Sequence, residues 1–278
     1  MEAVAQNKSS LVSYSNPILT HFTKISDRVE INSATYAGIA VKTTYFLIVT
    51  LLGMFAQLFV SKMFVNEPIW QTLTIFKFTF SVSLKEIIVL AGVVIVGFIC
   101  NLVGVFARKT VPVTGSIYSL SQGFLISFLV FKVLVGFEYI GLEALLLTVA
   151  IVFVMSFLYS TGIVKVGKRF RTVFLTLLLG SVVFGLLTGL GYLIPFTRPF
   201  VHAIVSNYKI TLIIDIVGLV IASLFLLSDF ETIETCVKEK YPKDYEWSAA
   251  FGLVFTVLWI YLKILDLLMR FAGNSKSS

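Results

Sequence analysis

Seven apolar runs leave this chain little choice of fold class. They cover residues 43–60, 87–107, 117–135, 142–160, 173–196, 211–227 and 247–271, each close to the roughly 20 residues that cross a bilayer as a helix. Backbone N–H and C=O groups inside lipid must be satisfied within the spanning segment, and a helix does this. The chain therefore reads as all-α: a polytopic membrane protein of seven transmembrane helices. Composition agrees, because only 13% of the residues are charged, about half the roughly 25% of a soluble domain. Once the spans are taken out, the 278 residues divide into a polar tail at 1–34, a membrane domain at 35–272 and a short tail at 273–278, with no separate soluble domain. The first tail lacks the apolar core and cleavage site of a signal peptide and carries a short amphipathic piece at 18–29. The longest connection, 61–86, has room for a surface helix or hairpin at 70–80. Pro195 and Pro199 are expected to end the fifth span, and Gly185 with Gly189 forms a GxxxG that suits close helix packing.

The net charge of +7 needs no nucleic acid, since basic residues gather in the loops that stay cytoplasmic and also suit anionic lipid. Their distribution, led by Lys165, Lys168, Arg169 and Arg171, favours a cytoplasmic N-terminus and an outer C-terminus. A multi-pass protein of a cell membrane is expected. Cys100 and Cys236 form neither a disulfide framework nor a metal-ligand spacing. No HExxH, nucleophile elbow or Gly-rich phosphate loop occurs, so no enzyme, cofactor or metal site is expected.

Charged side chains inside the spans are the functional candidates, because each costs at least about 2.5–3.5 kcal/mol at the bilayer centre. Asp215 lies several residues into the sixth run. Asp229 closes that run and opens an acidic turn, Ser228-Asp229-Phe230-Glu231-Thr232-Ile233-Glu234. Fourteen residues apart, the two aspartates share a helix face about 21 Å apart. Lys263 and Asp266 interrupt the last run, and Lys263 needs an acid: Asp266 one turn on, or Asp229 across the helix pair. Lys132, near the end of the third run, can snorkel. Gln122 in that run suits helix–helix bonding. An intramembrane aspartyl protease would need Asp266 as a partner for Asp215 or Asp229, and is disfavoured.

These residues resemble the Bax inhibitor family, in its longer bacterial-type branch. The resemblance is carried by Ser15-Asn16-Pro17-Ile18-Leu19, Thr35-Tyr36-Ala37-Gly38, Val41-Lys42-Thr43, Pro112 and Tyr118-Ser119-Leu120-Ser121-Gln122-Gly123. Its most specific part is Asp229-Phe230-Glu231-Thr232-Ile233-Glu234, followed by Glu246-Trp247-Ser248-Ala249-Ala250-Phe251-Gly252-Leu253 and Trp259-Ile260-Tyr261-Leu262. The resemblance implies a seven-helix fold with the last helix central, in the bacterial plasma membrane. It also implies a pH-sensitive leak for calcium or protons, controlled by carboxylates on the sixth and seventh helices that share a proton. Two positions depart from that pattern. Lys263 stands where the second carboxylate is expected, and Gln122 where the longer branch often has Glu. An ammonium facing Asp229 leaves no proton to share, so altered pH gating is expected. The alternative is a non-conducting regulator that binds other membrane proteins, such as a quality-control protease.

Overall fold

The computed structural model of the protein describes residues 33–75, 78–164 and 167–275. The amphipathic piece expected at 18–29 and Lys165 lie outside them. Eight helices and one hairpin follow in order: α1 (Tyr36–Met63), β1 (Ile69–Ile75), β2 (Phe78–Ser83), α2 (Leu84–Phe106), α3 (Val111–Phe128), α4 (Tyr139–Ser160), α5 (Lys168–Leu193), α6 (Arg198–Ser206), α7 (Tyr208–Lys238) and α8 (Tyr245–Ser275). Among the described residues, six of the helices are long and apolar enough to cross a membrane: α1, α2, α3 with its π-helical extension Leu129–Val133, α4, α7 and α8. α5 falls where the fifth of the seven apolar runs was read.

Local chemistry sets most helix boundaries. Thr35 caps α1 by accepting from Gly38 N–H. Ser83 and Glu86 form a capping box that ends β2 and starts α2, satisfying two otherwise unpaired donors. Pro112 sits in the first turn of α3, where its missing N–H costs nothing. α5 stops before Pro195, as read from the sequence: Ile194 is driven to an extended conformation, as a residue before proline should be. The acidic stretch at Ser228–Glu234 is the main correction. It is not a turn but the continuation of α7, which runs to Lys238. No Gly or Pro interrupts the chain there, and a Glu234–Lys238 ion pair at i,i+4 supports the helix.

The connection after α1 is the hairpin alternative, β1 and β2 pairing antiparallel from Ile69↔Ser83 to Ile75↔Phe78. Phe78, Phe80 and Val82 alternate inward. Phe80 packs edge-on to Phe128, and Phe78 to Phe137.

α8 is central. It packs against α1, α3, α4 and α7, with Phe251 meeting Phe46 and Tyr118 and the Tyr261 hydroxyl donating to Gly141 C=O of α4 at 3.2 Å. α1 and α3 approach closest of all. A Cβ on Gly53 would overlap the Leu120 carbonyl, and one on Gly123 the Thr50 carbonyl, so each backbone lies against the other. The GxxxG of α5 does not do this: a Cβ at Gly185 or Gly189 would meet nothing within 4 Å.

Candidate functional site

α7 and α8 run antiparallel, and two glycines show their register. A Cβ on Gly252 would stand 3.7 Å from Asp229 Oδ1, while one on Gly218 would stand 3.6 Å from Lys263 Nζ. Gly218 is eleven residues from Asp229, or about 16 Å along a helix. Asp229 and Lys263 therefore do not face each other, contrary to the pairing expected from the family resemblance.

Lys263 meets Asp215 instead, Nζ to Oδ1 at 3.9 Å. The same carboxylate takes Arg270, Nε to Oδ2 at 2.6 Å, and Arg270 in turn lies 3.6 Å from Asp266 Oδ2 at i,i+4. The other expected partner for Lys263, Asp266 on its own helix, thus belongs first to Arg270. Two acids and two bases form one compact group, with Asp215 only 5% exposed. Each charge costs several kcal/mol to desolvate alone, and mutual pairing offsets this. Asp215 sits two turns into α7, so the group lies at about 10 Å depth along that helix, toward its Tyr208 end.

Asp229 occupies the opposite half of the same interface. It lies against Gly252, with the Thr256 side chain in reach of its carboxylate. One of its oxygens, Oδ2, is buried without a hydrogen-bond partner among the described residues, as is Ser248 Oγ one turn from Gly252. A recess of about 300 Å³ lined by Asn101, Arg108, Phe225, Ser248 and Gly252 opens beside it. Gln122 is half-buried on α3, and no described contact joins it to either place.

Sequence reading missed two further buried charges. Glu246, fully buried in the first turn of α8, accepts from Thr35 N–H at 2.9 Å, from the Thr35 hydroxyl at 3.1 Å and from the Lys42 ammonium. Glu86 accepts from Lys132 at 2.8 Å, so Lys132 is paired rather than merely snorkelled. A signal for the second pair existed. Glu86 starts one span and Lys132 ends the next, which puts opposite charges at one level of neighbouring antiparallel helices. The buried Ser127–Gln57 hydrogen bond, 2.9 Å, joins α3 to α1 in the same way.

Chemically, the α7–α8 interface offers two carboxylates compensated by two cations at one end. At the other it offers a partly unsatisfied carboxylate. Both are suited to cations or protons and neither is a metal-ligand cluster, since no group of three or more such ligands occurs among the described residues. No curated protein matches the chain. A family described as Bax inhibitor 1 like matches over residues 6–273, and the chain belongs to that family.

Proposed function

We propose that the protein is a cation leak of the membrane, passing calcium or protons along the α7–α8 interface. The observation that carries this reading is the Asp215–Lys263–Asp266–Arg270 group, clustered around the buried Asp215 between two helices of membrane-spanning length. In this reading the controlling carboxylate pair is Asp215 and Asp266, one on each helix, while Asp229 forms a second cation step about 21 Å away. Lys263 and Arg270 hold the path shut by neutralising both carboxylates. Gating then means moving a cation aside, by protonation, voltage or a shift of α7 against α8.

Flux of calcium and of protons into liposomes, compared between the wild type and Asp215→Asn, tests it. A changed flux is expected. An unchanged flux, or none from either protein, moves the weight to the second reading, a non-conducting regulator of other membrane proteins. What favours that reading is the cancellation of the four charges, which leaves the group with no net attraction for a cation.

A further inference from the structure

Beside the charged group, on the face of α7 turned toward α5, runs a groove of about 890 Å³. Its walls are apolar: Leu177 and Phe184 of α5, Ile214 and Val217 of α7, and Trp259 of α8. The volume falls in the roughly 300–1,000 Å³ range of small-molecule sites. One ionisable side chain enters it, Lys263, whose ammonium rests over Gly218. The Lys263 side chain is 30% exposed, and its ammonium makes no hydrogen bond among the described residues. Its nearest carboxylate oxygen, Asp215 Oδ1 at 3.9 Å, belongs to a group that Arg270 already pairs through Oδ2.

A single cation at one point of a long apolar groove is complementary to a molecule with a small anionic head and a long chain. The depth selects among such molecules. Gly218 lies ten residues into α7, about 15 Å along the helix, so a phosphodiester would have to leave the headgroup layer to reach Lys263. A carboxylic acid enters an apolar region as the neutral molecule and needs only one charged partner once ionised. We propose that the groove between α5, α7 and α8 binds a long-chain fatty acid from the surrounding membrane, with its carboxylate on Lys263 and its chain along Leu177, Phe184 and Ile214. Binding would also draw Lys263 away from Asp215, but the site itself does not depend on any flux.

The test uses the full chain in nanodiscs. A bromine-labelled palmitate quenches Trp259 fluorescence on binding, and unlabelled palmitate and hexadecanol compete with it. Palmitate should compete about ten- to a hundredfold better than hexadecanol, the worth of one hydrogen bond to a charged group. Lys263→Met should abolish that preference and Lys263→Arg retain it. Gly218→Leu, which fills the floor of the groove, should weaken both competitors. Trp259→Phe should remove the specific quenching. Equal competition by acid and alcohol in the wild type, meaning contact with bulk chains only, overturns the proposal even if the variants cannot be purified. So does a preference for palmitate that survives in Lys263→Met.

Discussion

Arg270 Nε lies 2.6 Å from Asp215 Oδ2, tying the far end of the last helix to the third turn of the helix before it. The same guanidinium reaches Asp266, so one side chain compensates two carboxylates. Arg270→Met should therefore destabilise the fold strongly, by roughly 3–5 kcal/mol, because it leaves buried acid uncompensated. Removing acid and base together, in Asp215→Leu with Arg270→Met, should recover most of that loss. Thermal unfolding in detergent measures both, and a single variant as stable as the wild type would show that the contact contributes nothing.

The register of α7 and α8 makes a prediction about coupling. Lys263 is beside Asp215 and about 16 Å from the level of Asp229. Substitutions at 263 and 215 should be non-additive in stability, while those at 263 and 229 should add within about 0.5 kcal/mol. A double-mutant cycle in which Asp229 and Lys263 couple, and Asp215 and Lys263 do not, would contradict the arrangement described here.

Lys263→Asp places a third carboxylate against Asp215 and Asp266 and removes a cation. At about 4 Å a unit charge is worth about 4 kcal/mol in a protein-like dielectric, so cation occupancy should rise at least roughly tenfold. Calcium flux should rise and become dependent on pH, since three carboxylates at one place cannot all stay ionised. Flux against pH in liposomes reads this directly; a flat, unchanged profile counts against the leak.

Asp229→Asn keeps the shape of the side chain against Gly252 and should leave unfolding nearly unchanged while altering flux. If instead the variant unfolds early and conducts normally, Asp229 is a structural residue of the helix pair.

Gly123→Ala should be among the most damaging conservative changes in the chain. The added methyl has no flexible neighbour to displace, only the α1 backbone at Thr50 and Met54. Gly185→Ala on α5 meets open space and should be neutral or slightly stabilising, as alanine favours helix over glycine by about 1 kcal/mol. Comparing the two by thermal unfolding separates a motif that packs from one that merely looks as though it does.

These contrasts show where the sequence could be read and where it could not. Apolar runs and prolines locate the long helices because a bilayer demands continuous apolar helix, and Pro195 stops α5 by local sterics. The end of α7 was misplaced because hydropathy drops at Ser228, although helix formation does not depend on hydropathy. The charged residues of α7 and α8 stand out in the sequence, since each is anomalous where it lies. Their partners do not, because a shift of three turns between two smooth apolar helices leaves no trace in either sequence. Only Gly218 and Gly252, which let Lys263 and Asp229 lie flat against the opposite helix, record that register. Glu246 escaped notice for another reason. It sits at the start of a span, where an acid looks solvated, and only the fold brings Lys42 and Thr35 to it.

That last contact joins residues 211 positions apart, Thr35 and Glu246. Lys42 enters the bilayer early in synthesis, and its counter-charge is made about two hundred residues later. Until Glu246 has been made and α8 packs against α1, the first helix carries an uncompensated ammonium and the Thr35 N–H lacks its acceptor. A nascent or truncated chain is thus chemically marked as unfinished, and the mark disappears only when the final helix inserts.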